Sequence, residues 1–303
     1  NIGQFYGIEI DEVATHIARV ALYITDHQSN LVAASKFGST RATVPLVVTP
    51  HIHCGNALRT DWNDVIEAEK CTYVLGNPPF IGKQWQTEEQ KDDMKLIAGQ
   101  LKNYGLLDYV TAWYIKATDY VNKETNVAFV STNSITQGEQ VAVLWQYLFS
   151  KQITINFAHR TFRWSNEGKA NAGVHCVIIG FSKTGALSKY LFIYEGSSSE
   201  YKNIKVKTIS PYLIEAAYIP VINSRQTIGG GKSIAFGSMP NDGGNLLLTE
   251  SECKELLANE PQAKPFIKLF IGGDEFINSI KRYCIWLVDA TPSQIAAMPL
   301  IYE

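Results

Sequence analysis

The hydrophobic period changes several times along the first 180 residues, and each change predicts an element. Phe5 to Ile10 reads as a strand. Asp11 follows as a helix N-cap, and Val13, Ile17, Val20, Ala21 and Ile24 then recur at i, i+4, i+7, i+8 and i+11, one face of a helix. Residues 28–50 are looser, with Gly, Ser, Thr and two prolines. HIHCGNALRTDW (51–62) reads as a short strand and turn, and Tyr73-Val74-Leu75 as a short buried strand. Residues 83–103 are polar and charged, which predicts a loop with some helix. Residues 106–121 form an amphipathic helix, 126–132 a strand, 139–149 a helix, 153–159 a strand, and 172–183 a strand with an apolar run suited to burial. This alternation predicts an α/β fold, a doubly wound sheet with an antiparallel end.

Beyond about residue 185 the alternation stops. Strands rich in Tyr, Ile and Lys mix with Gly-rich turns such as TIGGGKS and PNDGGN, and TESECKELLANE (249–260) is the clearest helix. The pattern predicts a first domain over 1–184 and a mixed α+β domain over 185–303, incomplete at its C-terminus. The abrupt start of the chain just before a strand, without an initiating Met, predicts a piece of a longer polypeptide.

Composition narrows the class. A chain of 303 residues, 46% hydrophobic and 18% charged, has the material for about two packed domains. The net charge of -2 gives no global basic field, so nucleic-acid binding requires a local patch. The five scattered cysteines contain no C-x-x-C pair, which argues against a disulfide framework or a zinc ribbon and fits a reducing cytoplasm. No apolar run reaches the roughly 18 to 20 residues of a membrane span.

The segment TYVLGNPPFIG (72–82) is where chemistry enters. Gly76 lets the backbone leave the strand. Pro78 and Pro79 stop strand and helix alike, because neither donates a hydrogen bond and both fix φ. A rigid turn then holds Asn77 and Phe80 at a strand end, where open α/β sheets bind ligands.

Taken in order, Gly7-Ile8-Glu9-Ile10-Asp11, Gly55-Asn56-Ala57-Leu58, Asn77-Pro78-Pro79-Phe80, Leu107-Asp108-Tyr109 and Phe162-Arg163-Trp164 resemble the ordered motifs of gamma-class DNA adenine-N6 methyltransferases. GNALRTDW, FAHRTFRW, FGSMPNDGG and FINSIKRYCIWL bring the likeness closer to MmeI-like enzymes, in which nuclease, methyltransferase and recognition domains share one polypeptide. The resemblance spans essentially the whole chain. It implies a Rossmann-like class I methyltransferase domain over 1–184, a target-recognition domain over 185–303, S-adenosylmethionine as cofactor, double-stranded DNA as partner, and a prokaryotic cytoplasm as location. The family's first cofactor motif, a Gly-rich turn after its first strand, belongs just upstream of Asn1, as does the nuclease domain. The isolated piece is therefore expected to be inactive.

The resemblance also implies roles. The exocyclic nitrogen of adenine is a poor nucleophile because its lone pair is delocalised into the ring. Two acceptors for its hydrogens, the Asn77 side-chain carbonyl and the Pro78 backbone carbonyl, aim that lone pair at the methyl carbon. The base must leave the duplex and stack on aromatics. Phe80 is one such partner, and Phe162 and Trp164 compete for the second place. Arg160, Arg163 and Lys169 interleave with these aromatics as a phosphate-contact strip. Glu9 is placed to accept from the cofactor ribose hydroxyls, and Ile10 to pack on its adenine. Asn56, beside Ala57, stands where the family often carries Asp, and it can accept from the cofactor adenine amino group without charge. Asp108 and Tyr109 are candidates for lining the pocket.

Two tempting signals fail. His51 and His53 share a strand face but lack further ligands at a useful spacing, so no metal is expected. GGGKS (229–233) has Gln226 where a phosphate loop needs its first Gly. Two alternatives stay open. Asn-Pro-Pro-aromatic turns also serve protein glutamine methyltransferases, whose amide nitrogen poses the same problem. A DNA-recognition module without catalysis is the other.

Overall fold

The computed structural model describes residues 2–38, 48–164, 174–194, 200–219, 221–222, 224, 229–231, 237 and 242–302. The chain forms two compact units, Asn1–Ser224 and Arg225–Glu303.

The first unit opens with a βαβ arrangement. β1 (Tyr6–Glu9) and β2 (His51–Cys54) pair in parallel across the helix α1 (Glu12–Phe37). Asp11 caps α1 by accepting from the Ala14 N–H at 2.7 Å. The helix runs well past residue 28, where the sequence predicts looser chain. Leu31, Ala33 and Ala34 are good helix formers, and the stop comes only at Gly38, whose φ of 72° provides a left-handed cap. The predicted apolar face is real but open: Val13, Ile17, Val20 and Ile24 are 66%, 63%, 56% and 53% exposed, and Thr15 is the buried residue of the helix.

The short helix α2 (Trp62–Val65) precedes a six-stranded sheet. Its strands are β3 (Tyr73–Gly76), β4 (Asn126–Thr132), β5 (Thr154–Trp164), β6 (Val174–Ser182), β7 (Lys189–Tyr194) and β8 (Tyr201–Val206), in the order β3-β4-β6-β5-β7-β8. β3 runs parallel to β4 and β5 to β7, and the other neighbours are antiparallel. The fold is thus α/β with a mixed sheet. β3 is less buried than its apolar run predicts. Val74 packs on the core, but Tyr73 and Leu75 point to a face that no described element covers.

Three helices join these strands: α3 (Glu88–Ala98), α4 (Thr111–Tyr120) and α5 (Gly138–Ser150). The sequence predicts mostly loop where α3 forms. Its start is fixed by a capping box between Thr87 and Gln90; Met94, Ile97 and Ala98 face the core, but they come only in its second half, after a charged first half (Glu88 to Asp93) that reads as solvated chain. The core gathers Tyr114, Phe129, Trp145 and Phe181. The Tyr114 ring stacks on Phe181 at 5.5 Å, and its hydroxyl meets Ser131 Oγ at 2.5 Å.

The border predicted at 184/185 falls inside this unit. β7 and β8 extend the same sheet through β5, and Leu191, Val206, Ile209 and Leu213 belong to its core. A Tyr/Ile/Lys alternation announces strands without saying which sheet they join.

The second unit holds a small antiparallel sheet, β10-β11-β9, of β9 (Leu247–Thr249), β10 (Ile267–Phe270) and β11 (Arg282–Ile285). Its helices are α6 (Glu250–Asn259), α7 (Gly273–Asn278), α8 (Pro292–Ala296) and α9 (Pro299–Tyr302). α6 starts one residue inside the predicted span, on a Thr249–Glu252 capping box. Leu256, Ala263, Ile285 and Met298 form the core. Among the described residues no helix is long and apolar enough to cross a membrane.

Candidate active site

Glu9, Asn56 and Asn77 sit at or just past the C-terminal ends of the parallel strands β1, β2 and β3. In the register of β1 and β2, Glu9 stands opposite Cys54, and the Gly55 N–H donates to the Glu9 carbonyl at 2.8 Å. Glu9–Ile10 and Gly55–Asn56–Ala57 are thereby brought side by side. Glu9 Oε1 accepts from the Asp11 N–H at 3.0 Å, and no described residue donates to its second oxygen. Ile10 is 68% exposed at this edge, an apolar side chain with no core to fill. This pairing of a carboxylate with an exposed aliphatic fits the ribose and adenine of a nucleoside.

The turn at 55–60 is pinned from several sides. Asn56 Oδ1 accepts from the Leu58 N–H at 2.9 Å, and its Nδ2 donates to Asp93 Oδ2 at 2.9 Å. Trp62 Nε1 donates to the Ala57 carbonyl at 2.9 Å. Lys116 Nζ donates to the carbonyls of Leu58 and Thr60, each at 2.7 Å. The Asn56 oxygen expected to face a cofactor amino group therefore already serves the turn, with one lone pair remaining.

The Asn-Pro-Pro turn leaves β3 through Gly76, where an added Cβ would meet the Phe129 ring at 3.1 Å. Pro78 is buried, Asn77 is exposed, and Phe80 is half-buried against the core. Among the described residues nothing hydrogen-bonds the Asn77 amide or the Pro78 carbonyl. The stretch behind the turn is tied down. The Tyr109 N–H donates to the Ile81 carbonyl at 2.9 Å, the Lys83 N–H to Asp108 Oδ1 at 3.1 Å, and Gln86 Nε2 to the Leu107 carbonyl at 3.0 Å.

Asp108 and Tyr109 are interior groups. Asp108 Oδ2 accepts from Ser134 Oγ at 2.5 Å, and the Asp108 N–H donates to Gln140 Oε1 at 2.9 Å. The Tyr109 hydroxyl donates to Asp93 Oδ2 at 2.7 Å. Burial, then the bond to Asp93, push the Tyr109 phenol above its ordinary value. Burial would by itself raise the Asp93 carboxyl. The hydrogen bonds from Tyr109, Asn56 and Arg59, with the Arg59 charge, outweigh it and hold the group below the usual carboxylate range. Desolvation lowers Lys116, and Asp61 and Asp93 oppose that shift.

Phe162 lies on β5 opposite Cys176, which pairs in turn with Thr132 at the end of β4. Gly76, the last residue of β3, pairs with Phe129 on that same strand. Phe162 and the Asn77 turn therefore lie toward the same end of the sheet, three strand spacings or about 14 Å apart across it. The Phe162 ring packs on Tyr194 at 5.1 Å, and the Tyr194 hydroxyl meets His159 Nδ1 at 2.8 Å. Arg160 is half-buried and Arg163 exposed. The Trp164 backbone pairs with Val174, but its side chain, like the whole of Lys169, lies outside the described residues.

Asp93, Lys116, Ser134, Gln140 and Tyr194 carry no signal in the sequence that marks them out. Asp93 stands in EEQKDDMK, where a run of charge reads as a solvated helix face. No local signal separates it from exposed Asp92.

Comparison with known proteins adds an independent line. Residues 1–193 match the family model described as MmeI, DNA-methyltransferase domain, and residues 215–303 match MmeI, target recognition domain. The chain is 42% identical over 307 residues to a Bacillus subtilis (strain 168) protein named DNA methyltransferase A, covering 100% of this chain and 34% of that one. It is 49% identical to the solved structure of the Type IIL restriction-modification enzyme MmeI in complex with DNA, with a TM-score of 0.91, covering 100% of this chain and 41% of that chain. The chain thus spans about a third of the length of the curated relative.

Proposed function

Because this chain belongs to the MmeI family of DNA methyltransferases, we propose that it transfers a methyl group from S-adenosylmethionine to the N6 amino group of an adenine flipped out of duplex DNA. The observation that carries the reading is a pair of acceptors at a strand end, the Asn77 amide oxygen and the Pro78 carbonyl, that no described residue hydrogen-bonds, on a turn made stiff by two prolines. S-adenosylmethionine supplies the electrophilic methyl group when bound. Asn77 and Pro78 would accept the two amino hydrogens and aim the nitrogen lone pair at the methyl carbon, which would leave the cofactor's sulfur as the N–C bond forms. The amino group then sheds one proton to water. Phe80 stacks on the flipped base from the turn itself. Phe162, or Trp164 from the same strand, covers its other face. Glu9 and Ile10 take the ribose and adenine of the cofactor, with the turn at Asn56 and Ala57 beside them. Arg160, Arg163 and Lys169 contact the DNA backbone, and the second unit, through its match to a target-recognition domain, reads the sequence.

The setting we propose is a restriction-modification enzyme of the prokaryotic cytoplasm, with a nuclease in the same polypeptide. The match of residues 215–303 to a DNA target-recognition domain weighs against the glutamine reading. The deciding experiment incubates the full-length protein with methyl-labelled S-adenosylmethionine and duplex DNA, then digests the DNA to nucleosides. Label in N6-methyl-2′-deoxyadenosine supports the proposal. Label in protein alone supports glutamine methylation, and cofactor binding without transfer supports a silent recognition module.

A further inference from the structure

We propose that Asp93 is a positioning residue for cofactor binding, acting through Asn56 from a helix that itself carries no predicted ligand contact. The assignment rests on the reading of the turn at 55–60 as part of the S-adenosylmethionine site. Asp93 is 1% exposed in the middle of α3. A carboxylate is costly to bury unless its oxygens are paired, and a helix that only needed packing here would carry an apolar side chain. Both oxygens are used. Oδ1 accepts from Arg59 Nε at 2.6 Å, and Oδ2 accepts from Asn56 Nδ2 at 2.9 Å and from the Tyr109 hydroxyl at 2.7 Å.

Two of these three donors belong to the turn. An ionised carboxylate accepts and never donates, so it fixes which way the Asn56 amide points. The NH2 group faces Asp93, and the oxygen is left on the Leu58 side, where it accepts the N–H at 2.9 Å. Rotation of the amide would set its oxygen against the carboxylate. Lys116 holds the turn's carbonyls from α4, so the turn stands between an anion and a cation supplied by two helices. The third donor extends the tie. The Tyr109 N–H donates to the Ile81 carbonyl, one residue past Phe80, so the cofactor-side turn and the chain leaving the Asn-Pro-Pro turn share one buried anchor.

The test uses the full-length protein and isothermal titration with S-adenosylmethionine. Asp93→Asn keeps the shape but turns an NH2 group toward former donors. It should weaken cofactor binding by about tenfold or more and raise the KM for S-adenosylmethionine in parallel, while kcat at saturating cofactor and DNA stays within about threefold. A structural defect alone would not give that split. In an Asn56→Ala background the same substitution should cost less than about threefold, because the group through which Asp93 acts is gone. Arg59→Gln, at a half-exposed position that leaves the fold intact, should weaken binding by about threefold. A fall in kcat with unchanged cofactor affinity overturns the assignment. So does an Asp93→Asn effect of equal size with and without Asn56, or unchanged binding by Arg59→Gln. Cofactor binding by the unsubstituted protein tests the functional reading separately, and the ratio of variant to unsubstituted protein tests this one.

Discussion

Asn77 is exposed and has no hydrogen-bond partner among the described residues, although native proteins satisfy most of their polar groups within the fold when they are buried. An acceptor meant for a substrate must be left so, and its orientation has to come from the backbone. Buried Pro78 and the adjoining Pro79 provide that orientation. Asn77→Ala should therefore lower single-turnover methyl transfer by about 10²–10³-fold, the loss seen when one preorganised polar group is removed from an active site. DNA affinity, read by fluorescence anisotropy, should stay within about twofold. Transfer within tenfold of the unsubstituted rate would refute the role. Phe162 presents the opposite case, an aromatic already packed on Tyr194 at 5.1 Å and so held ready without a substrate. Phe162→Ala should reduce the fluorescence of 2-aminopurine placed at the target base. An unchanged signal, with loss on Trp164→Ala instead, would move the stacking role to Trp164.

At the scale of elements, the strand–turn grammar is what the sequence expresses best. The Asp11 cap, the strand at 126–132 and the helix around 139–149 were all legible, because each depends on residues close in the chain. α3 was not, since its core-facing Met94, Ile97 and Ala98 come only after a charged first half. The Asn56–Asp93 bond spans 37 residues and joins two side chains that look ordinary in isolation. The same limit hides the reason for Gly180 on β6. A Cβ built there would lie inside van der Waals contact of the Phe157 ring across the sheet. Phe157 faces Gly180 directly in the β5–β6 register, so the ring lies over the bare backbone. Gly180→Ala should cost about 1–3 kcal/mol, the range for overpacking a fitted site. Thermal denaturation of Gly180→Ala and of Gly180→Ala/Phe157→Ala checks the cause. The second substitution should recover part of the loss if ring displacement is responsible, and should add to it if the strand merely tolerates no side chain.

The whole molecule raises the question of where its first unit ends. Composition places the change of character near residue 185, but the sheet continues through β7 and β8, and the compact unit reaches Ser224. Four side chains beyond Thr184 decide the matter energetically: Leu191 at 4% exposed, Val206 at 7%, Ile209 at 6% and Leu213 at 2%. Burying each contributes about 1.5–3 kcal/mol, so their joint loss is comparable with the whole stability of a typical domain, about 5–15 kcal/mol. Removing them also strips β7 from β5 and leaves a long central strand with an open hydrogen-bonding edge, which invites pairing between chains. A chain cut after Thr184 should thus melt well below one cut after Ser224 and run as aggregate on size exclusion. Circular dichroism melts of the two truncations make the comparison. Equal midpoints and equal solubility would mean that β7 and β8 decorate the methyltransferase sheet without supporting it, and would favour a border near 185.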